Sequence, residues 1–273
     1  MDVKITLLSD NVVNTKGLLA EHGLSILLET EKQQLLFDVG QSFSAVHNAH
    51  VLGITFQSPR IVLSHGHYDH TGGLLHISRI FPLTVVFAHS DVFRQRFAAK
   101  AVNDVRDVSV PFTKEELERE GVELHLSSDP HEVLEGIWTT GQIARPFAAD
   151  QAVTGLWLDV ARSLPDHVLD EIAVVVEGSK KALVLLGCAH AGVPNVIQQV
   201  EAMTEKPLYG IVGGLHLTKA SQRDVQALAF FLRNRGVEFV AASHCTGCDA
   251  AHILSKYLEC ALTAAGSCLR FDL

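Results

Sequence analysis

An α/β fold with sheets in the middle and helices outside is predicted by three features of the sequence. Strand-like apolar runs dominate the segment up to about His89, with one helical interruption. After Ile172 strands and helices alternate, and no Pro/Gly/Ser-rich linker or short-period repeat divides the chain. The 273 residues are 47% hydrophobic and 19% charged. That is enough apolar surface for one large core, so residues 1–273 read as a single domain.

The elements follow from local pattern. Val3–Leu8, Leu24–Glu29 and Gln34–Asp38 are strand-like, and Phe43–Leu52 reads as a helix. Arg60–Ser64 is a short apolar run of the buried-strand kind; Gly72–Ile80 has helical spacing, and Leu83–Ala88 is another strand. From about 91 to 146 the texture changes, with KEELERE and Pro111, Pro130 and Pro146. This stretch reads as a peripheral insertion that borders a substrate pocket. Strands at AVVVEG, ALVLLG, Leu208–Val212 and Val237–Ala242 then alternate with helices at Asn195–Met203 and Ser221–Arg235. A last helix is expected over about Ala250–Ala265.

Composition narrows the function. With 22 basic and 31 acidic side chains the net charge is -9, which opposes the basic footprint of a nucleic-acid binder. No apolar run approaches the ~20 residues of a membrane span, and the start MDVKITLLSDNVVN is unlike a signal peptide. The five cysteines, an odd number, then point to reduced thiols and a cytoplasmic location. A small-molecule substrate is the expected partner, with no nucleic acid and no membrane. The 15 histidines are the unusual component and suggest metal or proton chemistry.

The sharpest motif is LSHGHYDHTGG, in which His65, His67, Asp69 and His70 follow the strand RIVLS. Alternate residues of an extended segment point the same way, so His65 and His67 can converge on one ion. Asp69 and His70, at the mouth of the following helix, can reach a second. Imidazole and carboxylate suit one or two divalent ions, with zinc the first expectation and iron or manganese the others.

This segment resembles the HxHxDH signature of the metallo-β-lactamase-fold superfamily. AEHGLSILLE, TTGQIAR, LLGCAHAG, GGLHL and SHCTG are similar to its dihydropterin synthase-like subgroup, and the likeness spans nearly the whole chain. The resemblance implies an αββα sandwich of two mixed sheets flanked by helices. It also implies a supporting role for Asp38 of LLFDVG beneath the metal loop. It makes His244 a ligand of the second ion, and puts Cys188 where most members carry a bridging aspartate, with His190 as the preferred ligand beside it. His167, Asp170 and His190 all remain open as the group that completes the first site.

His216, at the end of another strand, is a candidate substrate contact or general acid, and Asp69 a candidate catalytic carboxylate. Arg145 could grip a substrate phosphate. Cys245 and Cys248 have the spacing of a redox or zinc pair, and Asp10, Asn11 and Asn48 lie in phrases that could face the cleft. His22 and seven further histidines receive no role. The resemblance implies a hydrolase that uses metal-bound hydroxide on a small anionic or phosphate-bearing substrate. A dihydropterin–ribofuranosylaminobenzene phosphate synthase-type transferase is the alternative, and a non-catalytic metal or ligand binder is a third reading.

Overall fold

The computed structural model describes residues 1–56, 59–81, 84–99, 104–147 and 155–273. The chain begins with β1 (Asp2–Ser9), β2 (Ser25–Glu29), β3 (Gln34–Phe37), α1 (Ser44–Val51) and β4 (Arg60–Val62). It continues through α2 (Tyr68–Thr71), α3 (Leu74–Ser78), β5 (Val85–Ala88), β6 (Phe97–Ala99), β7 (Val105–Asp107) and α4 (Lys114–Arg119). Next come β8 (Glu123–Leu126), β9 (His131–Leu134), β10 (Ile137–Thr139), β11 (Leu156–Trp157), β12 (Val174–Glu177) and β13 (Ala182–Leu186). The last third holds α5 (Val193–Met203), β14 (Leu208–Gly213), α6 (Gln222–Asn234), β15 (Phe239–Ala242), α7 (Cys248–Leu254), β16 (Glu259–Leu262) and β17 (Cys268–Asp272).

Two seven-stranded sheets form the centre, in the orders β17-β1-β2-β3-β4-β5-β8 and β16-β15-β14-β13-β12-β10-β9. Each is mixed. In the first, β17 to β3 are antiparallel and β3 to β8 parallel. In the second, β16 to β13 are parallel and β13 to β9 antiparallel. The side-chain period of two sorts the apolar residues into layers. Leu35 and Phe37 of β3 face the second sheet, in a core shared with Val174, Leu183 and Leu185. Leu36 between them faces outward, onto the cluster that includes Ala45 and Ala49 of α1 and Leu74 and Ile77 of α3. On the far side Val184 and Leu186 of β13 pack with Val196 and Ile197 of α5, Leu228 of α6 and Leu254 of α7. The result is the expected αββα sandwich.

The segment 91–146 supplies edge strands to both sheets, β8 to one and β9–β10 to the other. With β11 it also forms a small antiparallel sheet in the order β11-β6-β7. KEELERE folds as α4, begun by a capping box in which Thr113 and Glu116 satisfy each other's backbone amides. Three sequence expectations need correction. The helix expected at Gly72–Ile80 is the shorter α3, Leu74–Ser78, and Gly72 and Gly73 separate it from α2 at Tyr68–Thr71. The helix expected to run to Ala265 stops at Leu254, and Glu259–Leu262 instead pairs in parallel with β15. Helical periodicity reads straight through this stretch, and tertiary pairing overrides it. The strand expected from Leu83 starts at Val85; residue 83 lies outside the described residues.

Candidate metal centre

The cleft lies where strands of both sheets end. Several loops there turn through left-handed backbone at residues other than glycine: Asp38 (φ 57), Ala189 (φ 57), His216 (φ 54) and His244 (φ 47). Such conformations cost on the order of 1–3 kcal/mol each and cluster at functional sites.

Asp38, buried at the end of β3, organises the first loop. Its Oδ1 accepts from Ser64 N at 2.7 Å, and its Oδ2 accepts from Ser64 Oγ at 2.7 Å and meets His70 Nδ1 at 2.6 Å. Since Ser64 Oγ donates to Asp38, it must accept from His65 Nδ1, 2.8 Å away. That fixes the tautomer and turns the lone pair of His65 Nε2 inward. The same logic applies to His70, whose Nε2 lies 3.3 Å from Cys188 Sγ and 3.8 Å from Asp69 Oδ2. His244 Nδ1 sits 2.8 Å from Asn11 Oδ1, leaving its Nε2 3.4 Å from Asp69 Oδ2.

Among the described residues five donor triads result, each with ligand atoms within 4.8 Å of one another: His65/His67/His190, His65/His70/Cys188, His22/Asp69/His244, Cys188/His190/His216 and Cys188/His244/Cys245. His65 Nε2 and His67 Nδ1 are 2.8 Å apart. His67 Nε2 and both ring nitrogens of His190 are buried without a hydrogen-bond partner among the described residues. Buried polar atoms are normally paired, so imidazole nitrogens left facing one another suit a cation. Burial holds the pKa of His67 down at about 3 and that of His190 well below the ordinary value. Both rings are therefore kept neutral, the form that ligates metal. Burial opposes charge on His70 and Asp69 too. The Asp38 carboxylate beside His70 nevertheless raises that imidazole to about 9, so an ion at its Nε2 would have to displace a proton, and His70 holds Asp69 well below the usual carboxylate range.

The acidic pair ahead of β12 acts on two loops at once. Asp170 Oδ2 accepts from Gly66 N at 2.8 Å, while Glu171 accepts from His190 N at 2.7 Å and Ala191 N at 2.5 Å. Asp170 is in turn held by buried Arg96 at 3.0 Å. Gly66 packs so closely that a Cβ there would collide with the Val92 carbonyl oxygen. Asp170 therefore stands beneath the metal loop and is in none of the triads. His167 is exposed and also outside them, so of the three candidates only His190 joins His65 and His67.

Arg145 departs from expectation. Its Nη1 and Nη2 donate to the carbonyls of His167 and Val168 at 2.6 and 2.7 Å. It braces the loop before Asp170 and does not present a free fork to a phosphate. Of the other polar residues singled out, Asp10 Oδ2 accepts from His244 N at 3.3 Å. Asn48 binds the carbonyls of Leu8 and Leu19, away from the cluster. His22, given no role from sequence, has Nε2 3.2 Å from Asp69 Oδ2; the only signal for it was its place in AEHGLSILLE.

A cavity of about 750 Å³ opens beside the cluster, bounded by Ala189, His216 and Cys245. Its walls are mostly apolar, with Val193, Leu215, Leu228 and Phe231, and it carries Lys219 and Asp224. Among the described residues the lining includes none from the segment 91–146; the walls come from α5, α6 and the loop after β14. Burial by itself would lower the His216 pKa, but its contact with the Cys245 sulfur outweighs this and raises it.

Two facing mixed sheets and a cleft of inward-turned histidines define an αββα protein with a donor set for divalent ions. The chain belongs to the metallo-beta-lactamase superfamily, which it matches over residues 19–201. It is 30% identical to the 7,8-dihydropterin-6-methyl-4-(beta-D-ribofuranosyl)-aminobenzene-5'-phosphate synthase of Methanocaldococcus jannaschii, covering 93% of this chain and 91% of that one. Among solved structures it is similar to Tm1679, described as a metal-dependent hydrolase of the beta-lactamase superfamily. There the TM-score is 0.83 and the identity 25%, over 99% of each chain. A diphosphatase from the PhnP family shares the fold, with TM-score 0.57 and 16% identity over 100% of this chain and 98% of the other.

One prediction tests the support under the centre. Asp38→Asn must turn an amide N–H₂ toward Ser64 or His70, which already donate to that position. The expected cost is about 1.5–3 kcal/mol in urea denaturation and about 10–100-fold in zinc affinity. Unchanged zinc affinity by chelator competition would show that Asp38 does not orient the ligands.

Proposed function

We propose that the protein is a metal-dependent enzyme acting on a small phosphate-bearing or otherwise anionic molecule, with hydrolysis as its reaction. The observation that carries this reading is the placement of the histidine cluster against the apolar cavity, with Lys219 exposed on the cavity wall.

In this reading His65, His67 and His190 hold one divalent ion, zinc by preference. Asp69, His70 and His244 would hold a second, joined by Cys188. Divalent ions bound there would supply Lewis-acid polarisation and water activation near neutral pH. The remaining work falls to side chains. Asp69 keeps its charge, orients the nucleophile and is steadied by His22. The Lys219 ammonium draws the anionic end of the substrate, while Leu215, Leu228 and Phe231 enclose its apolar body and exclude water. His216, at the boundary of cluster and cavity, carries a proton to the leaving oxygen; its Nδ1 has no partner among the described residues. Asp38 and Asp170 act through the loops they hold.

A second reading, a transferase of the dihydropterin synthase type, is favoured by the 30% identity to the Methanocaldococcus enzyme. One experiment separates the two. Zinc-reconstituted protein is given phosphodiesters, and separately a dihydropterin-methyl diphosphate with and without a ribofuranosylaminobenzene phosphate acceptor. The hydrolase reading expects turnover of a phosphodiester with water alone. Diphosphate release that requires the acceptor replaces it with the transferase reading. No turnover by zinc-, iron- or manganese-loaded protein of any of these substrates sinks both.

For the active substrate, Lys219→Ala is expected to raise KM about tenfold, the cost of a lost charged contact of roughly 1.4 kcal/mol, with little change in kcat. An unchanged KM would remove Lys219 from the binding site.

A further inference from the structure

Cys245 is left without a role by the reading above, although its sulfur lies at the wall shared by the histidine cluster and the cavity. Three observations bear on it. Adjacent residues of an extended chain normally point in opposite directions, yet the donor atoms of His244 and Cys245 both come within 4.8 Å of Cys188 Sγ. The left-handed backbone of His244 (φ 47) makes this possible by turning the chain just after β15. The position is also built to receive the sulfur. A Cβ on Gly214 would lie 2.6 Å from Cys245 Sγ and collide with the Gly187 carbonyl oxygen, so only glycine leaves the space. Finally, the sulfur accepts a hydrogen bond from His216 N at 3.3 Å, the contact that favours an anionic thiolate. Cys188 is the hub of the cluster, since its Sγ belongs to three of the five triads.

We propose that Cys188 and Cys245 together make the second metal position a sulfur-containing one, with both thiolates joining His244 among its donors. The inference rests on the metal-centre reading above and deepens it by naming the coordination chemistry. Thiolates are soft ligands, so this position selects zinc, cadmium or ferrous iron over magnesium, calcium and manganese. Each thiol loses its proton to solvent as the ion binds. The first position, formed by imidazoles alone, carries no such preference.

The test is a cobalt(II) titration of the purified full chain, read by absorption and by metal content. A sulfur-to-cobalt charge-transfer band in the near ultraviolet is expected as the second equivalent fills. Cys245→Ser is expected to weaken the band without abolishing it, because the Cys188 sulfur remains. It should also weaken cobalt binding at that position by at least about 10–100-fold, the range for loss of a merely supporting partner. Cys188→Ser should likewise reduce the band. Cys248→Ser, at an exposed cysteine, should leave it unchanged. As a check independent of these variants, zinc should protect two cysteines of the wild-type chain from iodoacetamide, located by mass at Cys188 and Cys245.

Cobalt binding without the band overturns the inference and leaves the metal centre standing. A band that Cys245→Ser leaves at full strength, or no protection of Cys245, overturns the role of that residue. Failure to bind cobalt or zinc at all overturns the metal centre itself.

Discussion

His190→Ala is expected to leave the protein with one bound ion where the wild type is expected to bind two, and to abolish turnover, whereas His167→Ala should change neither. The contrast follows from geometry. His190 closes a triad with His65 and His67, both its ring nitrogens are buried without partners, and its backbone amide is clamped by Glu171. His167 is exposed and contributes to the structure a carbonyl that Arg145 holds. Removing a ligand should cost more than the about 10–100-fold in affinity typical of an outer partner. Atomic emission after dialysis gives the stoichiometry, and the substrate found active above gives the rate. Two ions retained in His190→Ala would require another residue to complete the first site.

Arg96→Ala is expected to destabilise the fold by about 3–5 kcal/mol, the range for breaking a buried ion pair from one side. The guanidinium is 1% exposed. It sits 3.0 Å from Asp170 and 3.7 Å from Asp166, both themselves buried. Burial raises the pKa of Asp170 even with the arginine beside it, so truncation leaves two buried carboxylates without their cation. Because Asp170 also holds Gly66 N, the damage should reach the metal loop and lower zinc affinity along with stability. Against a total of about 5–15 kcal/mol this is a large fraction. Urea midpoints of the metal-free wild type and variant measure it; a difference under about 1 kcal/mol would mean that the pair is screened like a surface bridge.

The parts of this protein legible in its sequence are those encoded locally. His65, His67, Asp69 and His70 fall within one turn of chain, so residue type and alternation identify them. The strands β1 to β3 and β12 to β14 have alternating or short continuous apolar patterns, β-branched-rich in β12, that read as strands. The illegible parts depend on what approaches from elsewhere. The motif around His190 marks it as a ligand but not as the one that completes the first site; that depends on which loop reaches His65. Arg96 looks like an ordinary surface arginine until β6 and the Asp166–Asp170 loop close over it. Glu259–Leu262 becomes a strand because β15 has an open edge beside it. Asp170 reads as a candidate ligand, and only the fold reveals that it and its neighbour Glu171 each grip the backbone of a different loop.

The division of the donors between the two sheets also sets the order in which the centre can form. His70 and Cys188 are 118 residues apart in the chain, and the backbone of His244 rests on Asp10 across 234 residues. Contacts of such separation carry the largest loop-closure entropy and form late. A nascent chain displays the HGHYDH stretch long before His190 or His244 is synthesised. An ion held by donors from both halves would then act as a clasp, fastened once the two halves have met.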